Sequence, residues 1–374
     1  MRVLQLVTKR QYRGAELFAA DLSSELLKMG HHVLFVGIYE NDSDVLEVEG
    51  AVNCDLVSGK KNSFSIEITR KLIKLINKEK PDVIQCNGSD TLKYTYAASF
   101  FIENIPIVYR NISIISEWVS DRPKKMIYKQ IFNRVAHVTS VGDEALSDFI
   151  ETYNFPRKNA EVIRRGIPVK NIDKIAFSKK FRKEIGLDNS SKIAVHIGNF
   201  SPEKNHEFLI DVFLGLKDQH PEIKLICVGS GILFDKIKDI VYQYGLEKNI
   251  YLLGFRKDIP EILAASDCLV LSSKVEGVPG VILEAGTQKT PSIATNVGGV
   301  KEALIDGKTG YLIDDFNIKL FRERLIGIME NEDLRKQLGE NAYEMISKGY
   351  DPHSNASKFE KLYHRLINES ISST

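Results

Sequence analysis

The sequence predicts an α/β protein built of two doubly wound parallel-sheet domains, and three observations carry that expectation. Short apolar runs of strand length alternate with segments of helical periodicity along nearly the whole chain, the pattern of βαβ units and a parallel sheet. Two such series stand either side of a polar segment at 167–189. At 374 residues the chain is also longer than one hydrophobic core usually serves.

In order, residues 2–7 carry Val3, Leu4, Leu6 and Val7 and read as a buried strand. A loop at 8–14 leads to a helix at 15–29, marked by Leu17, Phe18, Leu22, Leu26 and Leu27 and stopped at Gly30. Strands follow at 32–38, 82–86, 105–110 and 137–140, separated by helices at 66–78, 91–101 and 123–134, with a helix at 143–152 after the last. The second series has strands at 193–198, 224–228, 250–253, 268–271, 292–295 and 310–313. Its helices fall at 206–217, 233–244, 259–265, 317–330 and 333–348, with one entered at Pro279-Gly280 and another at Gly298-Gly299. A last helix near 353–368 follows the breaker Tyr350-Asp351-Pro352. The expected division is an N-terminal domain at 1–167 and a C-terminal domain at 168–352, with the terminal helix in 353–374 packing back on the first.

Apolar and charged fractions of 43% and 27% suit a soluble globular chain, and a net charge of +1 argues against bulk nucleic-acid binding. Cys54, Cys86, Cys227 and Cys268 show no metal or disulfide spacing. No signal peptide or membrane span is legible, so a cytoplasmic protein is expected. One basic run, Arg122, Lys124, Lys125, Lys129 and Arg134, is interleaved with Trp118, Met126, Ile127, Ile131 and Phe132. A solvated helix face is the ordinary reading; peripheral contact with the cytoplasmic face of a membrane is the other.

Open α/β sheets bind ligands beyond the carboxyl ends of their strands. In the second domain those ends are 198–204, 229–231, 254–259 and the stretch holding Glu276 and Glu284; in the first they are 9–16, 86–90 and 110–113. Two such domains facing a cleft would place these segments together. The helix entered at Pro279 offers the free N–H groups of Gly280 and Val281 as an anion site beside the two acids. The local chemistry suits a phosphate held beside a polyol.

EGVPGVILEA followed by TPSIATNVGGVKEALIDGKTGYLI resembles the signature of retaining glycosyltransferases of family 4, which have the GT-B fold. Glu276 and Glu284 match the family's E-x7-E pair, and SPEKNHEFLIDVF resembles the segment carrying its phosphate-binding lysine. FRKDIPEILAASDCLVLSS resembles the segment that approaches the nucleotide base, and VIRRGIP the interdomain linker. The likeness covers essentially the whole chain and is densest in the second half.

The resemblance implies a nucleotide-diphosphate sugar, UDP- or GDP-linked, as donor, and transfer with retention and without a bound metal or cofactor. The acceptor would be a glycan or lipid-linked sugar in surface polysaccharide or lipopolysaccharide assembly. Glu276 and Lys204 would act at the reacting centre, with Arg110 beside the transferred sugar. Glu284 would accept hydrogen bonds from the ribose, and Gly14, Asn199, Gly280, Val281, Ile259 and Arg256 would complete the donor site. Asn87 and Asn111 would line the sugar or acceptor pocket. Independently of the family, a departing diphosphate gathers negative charge, and a preorganised cation with backbone donors aimed at it lowers the barrier.

Asn199 stands where many members have an arginine on the diphosphate, which leaves Lys204 alone or with a nearby base such as Arg256. Arg110-Asn111 and Asn87 stand where histidines are common; altered specificity is the favoured account. A sugar-nucleotide 2-epimerase shares the architecture, and a catalytically inert binding protein is a third reading, supported only by these departures. Three further signals read as decoys. Gly229-Ser230-Gly231 lacks the third glycine of a dinucleotide fingerprint, with Phe234 in its place. Asp42-Ser43-Asp44 reads as a solvated acidic loop. His31-His32 has no third ligand at zinc spacing.

Overall fold

The structure is a computed structural model that describes residues 1–41, 44–59, 64–119 and 121–372. Asp42 and Ser43 therefore lie outside the described residues. The chain divides into unit 1, Met1–Gly166 with Tyr350–Thr374, and unit 2, Ile167–Gly349.

Unit 1 runs β1 (Arg2–Lys9), α1 (Gly14–Lys28), β2 (His32–Tyr39), β3 (Val52–Val57), α2 (Ile66–Glu79), β4 (Val83–Asn87), α3 (Ser89–Ala98), β5 (Ile107–Asn111), α4 (Arg122–Phe132), β6 (His137–Ser140), α5 (Asp143–Tyr153) and β7 (Ala160–Val162). All its strands pair in parallel, in the order β3-β2-β1-β4-β5-β6-β7. Both faces of this sheet are covered. Leu4 and Leu6 point into one core with Ile68, Leu72 and Ile76 of α2, which recur every fourth residue. Val3 and Val7 point into the other with Phe18 and Leu22 of α1. The two-residue side-chain period of a strand makes that division.

Unit 2 runs α6 (Lys174–Glu184), β8 (Lys192–Ile197), α7 (His206–Leu214), β9 (Ile223–Val228), α8 (Phe234–Gln243), β10 (Ile250–Leu252), α9 (Ile259–Ala264), β11 (Cys268–Leu271), α10 (Gly280–Thr287), β12 (Ser292–Thr295), α11 (Val300–Ala303), β13 (Gly310–Ile313), α12 (Ile318–Glu330) and α13 (Glu332–Gly349). Its parallel order, β10-β9-β8-β11-β12-β13, repeats that of unit 1 when strands are counted from β8. In each sheet the order reverses between the first strand and the fourth, β1/β4 and β8/β11. Loops leaving those strands diverge and open the crevice in which doubly wound sheets bind ligands.

The last helix, α14 (Pro352–Ser372), belongs to unit 1. Ala356, Phe359, Leu362, Tyr363 and Leu366 form its buried face, spaced as one side of a helix. Phe359 meets Phe18 at 5.6 Å, and the Tyr363 hydroxyl donates to Gln85 Oε1 at 2.9 Å.

The polar segment expected at 167–189 contains α6 instead. Only Phe181 of that helix is buried, so no apolar stripe announces it; the Asp173 side chain caps it by accepting from Ala176 N at 3.0 Å. The edge strand β3 was likewise outside the expected set, because VNCDLV buries only its last two residues.

Candidate active site

Unit 2 assembles its candidate site at the carboxyl ends of β8 and β11. After β8 the chain makes a tight turn at Pro202–Lys204 and passes through Asn205 at φ 52°, the left-handed region that asparagine tolerates. This reversal starts α7 and leaves the Lys204 stem over Gly198, whose Cβ, if added, would stand 3.5 Å from Lys204 Cδ and Cε. The Lys204 ammonium forms an ion pair with Glu276 Oε1 in the loop after β11.

Serines following β11 fix both partners. Ser273 Oγ donates to the same Glu276 oxygen at 2.6 Å. Ser272 Oγ contacts the carbonyls of Lys204 at 2.8 Å and Asn205 at 3.1 Å, joining the two loops. Thr295 Oγ1, at the end of β12, donates to the Ser273 carbonyl at 2.6 Å. These hydroxyls escaped the sequence reading; the available signal was two small polar residues directly after a fully apolar strand. Side-chain exposures of 23% for Lys204 and 11% for Glu276 leave the pair poorly hydrated but within reach of a ligand.

A neutral ring cluster lies behind Lys204. His206 stacks on Phe200 at 4.1 Å, and His196 meets His206 edge-on at 4.6 Å. Burial pushes His206 down to about 4, and the Lys204 charge acts in the same direction. His196 is also held well below its ordinary value, first by burial. Its Nδ1 lies 2.9 Å from the Val270 carbonyl and, in the neutral ring, donates to it. With both rings neutral, Lys204 supplies the positive charge at this loop.

The Gly229-Ser230-Gly231 segment has a packing role. A Cβ on Gly229 would stand 1.9 Å from the Gly198 oxygen, and one on Gly231 2.5 Å from the Phe200 oxygen. Their φ values of +145° and +159° lie in the glycine region. Close approach of the β9 loop to the Gly198–Phe200 backbone is what these glycines permit.

Of the other candidates in unit 2, Gly280 and Val281 are the first two residues of α10 and are half-buried, as is Glu284 on the next turn. Helix geometry leaves the first N–H groups without intrahelical acceptors. Asn199 and Ile259 are half-buried, the latter at the start of α9. Arg256 is not a spare base: it holds Asp258 at 2.8 and 2.7 Å and also pairs with Glu184. Two carboxylates accompany its guanidinium here.

In unit 1, Gly14 opens α1 at an exposed position where a Cβ would meet nothing within 4 Å. Packing within the chain does not demand that glycine. Arg110 is placed differently from expectation. It is only 1% exposed, donates from Nη1 to the Ile163 carbonyl at 2.5 Å, and lies 4.2 Å from the Phe18 ring centre and 5.5 Å from that of Phe359. Burial lowers it to about 9. Its guanidinium thus ties α1, β5, α14 and the segment after β7 together and offers a substrate almost no surface. Asn87 donates to Gln5 Oε1 at 2.9 Å and Asn111 to the Ala145 carbonyl at 2.9 Å; both are buried. Their amide N–H groups donate to acceptors within unit 1.

The repeated doubly wound units and the lysine–glutamate pair at a switch point define an α/β protein with a charged candidate site at the crevice such sheets form. Comparison with known proteins then identifies the family. The model described as "Glycosyltransferase Family 4" matches residues 12–171, and that described as "Glycosyl transferases group 1" matches residues 177–345. Together they account for most of the chain, which belongs to this glycosyltransferase family. An N-acetyl-alpha-D-glucosaminyl L-malate synthase of Bacillus anthracis is 28% identical over 62% of this chain, but the match spans only 60% of that protein. A UDP-Gal:alpha-D-GlcNAc-diphosphoundecaprenol alpha-1,3-galactosyltransferase of Escherichia coli is 28% identical over 84% of this chain and 82% of its own. Among solved structures, Anabaena Alr3699/HepE in complex with UDP-glucose superposes with a TM-score of 0.82 at 22% identity, over 100% of both chains. The fold is GT-B.

Proposed function

We propose that this chain is a retaining, metal-independent glycosyltransferase that moves a sugar from a UDP- or GDP-sugar to a glycan or lipid-linked acceptor in surface polysaccharide or lipopolysaccharide assembly. The observation that carries the reading is the Lys204–Glu276 pair at the β8/β11 switch point.

When a donor enters, the Lys204 ammonium turns from Glu276 to the diphosphate and stabilises the charge that gathers there as the glycosyl bond breaks. The N–H groups of Gly280 and Val281 add neutral donors at the amino end of α10. Glu276, still held by Ser273, is released to accept from sugar hydroxyls and to steady positive charge at the anomeric carbon. Glu284 accepts from the ribose hydroxyls. The leaving phosphate takes the acceptor's proton, so no protein nucleophile is needed. The galactosyltransferase relative, whose name carries a diphosphoundecaprenol acceptor, supports a lipid-linked acceptor here.

A membrane-bound acceptor also gives a role to α4. Met126 and Ile127 are 71% and 61% exposed on it, beside exposed Arg122, Lys124, Lys125 and Lys129. We assign this face to peripheral contact with an anionic lipid surface. No helix among the described residues is long and apolar enough to cross a membrane.

The testing experiment incubates the protein with a panel of UDP-, GDP- and ADP-sugars, with and without EDTA, and follows anomeric configuration by NMR. Retained configuration with EDTA-insensitive turnover is expected. Inversion or strict metal dependence overturns the mechanism. Free C2-epimerised sugar would identify an epimerase, and nucleotide binding without turnover an inert relative.

A further inference from the structure

His31 lacks a third ligand in its sequence neighbourhood, but folding brings one from more than 300 residues away. The residue lies between α1 and β2, and the ligands come from α14. Glu360 and His364 stand four apart on that helix and so share a face. His31 Nε2 is 2.7 Å from Glu360 Oε1, and the His31 and His364 rings are 6.1 Å apart, nearly edge to face at 67°. One ligand atom from each residue lies within 4.8 Å of the other two. His31 and Glu360 are partly sheltered, with side-chain exposures of 10% and 27%, while His364 is open to solvent.

Two imidazoles and one carboxylate form a donor set that favours zinc, nickel or copper over magnesium or calcium. Three protein ligands with one open side leave the remaining coordination to water. The existing His31–Glu360 contact already holds two ligands near each other, and His364 stands close by on the same helix face as Glu360. We propose that His31, Glu360 and His364 form a divalent transition-metal site that clips α14 to the rest of unit 1. The site takes no part in the sugar transfer proposed above. Its effect is on the seating of α14, the segment that returns the chain from unit 2 to unit 1.

The bland alternative is a single histidine–glutamate hydrogen bond with His364 as a bystander, and the test separates the two. Full-length, tag-free protein is titrated with ZnCl2 by calorimetry, with MgCl2 as control, and melted with and without each ion. Binding of one zinc per chain and a raised Tm with zinc alone are expected. The His364→Ala variant, which keeps the His31–Glu360 contact, should bind zinc at least as weakly as sites that lose an outer-shell partner, about 10–100-fold. Cobalt gives a second readout: d–d absorption without a thiolate charge-transfer band is expected for this ligand set, and Glu360→Gln should alter that spectrum in protein of unchanged far-UV circular dichroism. Absence of saturable zinc binding below the millimolar range overturns the proposal. So does zinc affinity unchanged in His364→Ala, or a cobalt–thiolate band.

Discussion

Lys204 and Glu276, 72 residues apart in sequence, meet as an ion pair between loops that leave two adjacent strands of one sheet. Each residue satisfies the other before any substrate is present. On the proposed mechanism, donor binding would exchange one partner of Lys204 for another, so that its charge is never left bare in a half-buried site, where an unpaired ion is costly.

Lys204→Ala should lower kcat by about 10²–10³-fold, the cost of removing one preorganised donor to developing charge, with a smaller change in KM for the donor. Steady-state kinetics with the donor found by screening measures both constants. Wild-type kcat would remove Lys204 from the chemistry.

Glu284→Ala should act chiefly on donor affinity. A hydrogen bond to a charged group contributes about 1.5–3 kcal/mol, so a rise of about 10–150-fold in the donor Kd is expected by calorimetry with the nucleoside diphosphate alone. Unchanged affinity would detach Glu284 from the ribose.

Arg110→Met should show itself in stability. Its guanidinium serves the Ile163 carbonyl and lies against Phe18 and Phe359, so the substitution removes contacts inside unit 1. A lowered Tm with donor kcat and KM within about twofold of wild type is expected for a group acting only through the fold. A fall in kcat at unchanged Tm would return Arg110 to the active site.

Acid should weaken unit 2 through His206. Its folded value is depressed to about 4, against about 6.5 in an unfolded chain. Between those values the unfolded state binds a proton that the folded state refuses, so stability falls as pH drops through that window. Lowering the pH from 7 to 5 should cost about 2 kcal/mol at this residue. His206→Phe keeps a ring on Phe200 and should reduce the pH dependence of urea unfolding, with His196 contributing to what remains; an unaltered slope would exonerate His206.

Much of this architecture was legible because buried parallel strands are continuous apolar runs. Cys268–Leu271 and Ser292–Thr295 were bounded to the residue. The Lys204 and Glu276 loops were legible for the same reason, since each directly follows such a strand. What escaped was decided by tertiary context. Helix α6 is polar nearly all round: it buries only Phe181 and is otherwise held by its Asp173 cap and by polar contacts such as Arg182 to the Ser191 carbonyl and Glu184 to Arg256. Arg110, Asn87 and Asn111 stand at strand ends, where the family resemblance put them beside the sugar, and each donates to a group within unit 1. The His31–Glu360–His364 cluster escaped because its members are joined only when α14 docks.

That docking also bears on the order in which the protein is made. Synthesis delivers residues 1–166 first, then all of unit 2, and only afterwards the helix that supplies Phe359 and Tyr363 to the first core. Unit 2 is contiguous and can close while unit 1 still exposes the apolar groove around Phe18. The domain begun first is thus the last completed. A nascent chain halted near residue 349 should carry one finished domain and one sticky, chaperone-prone one.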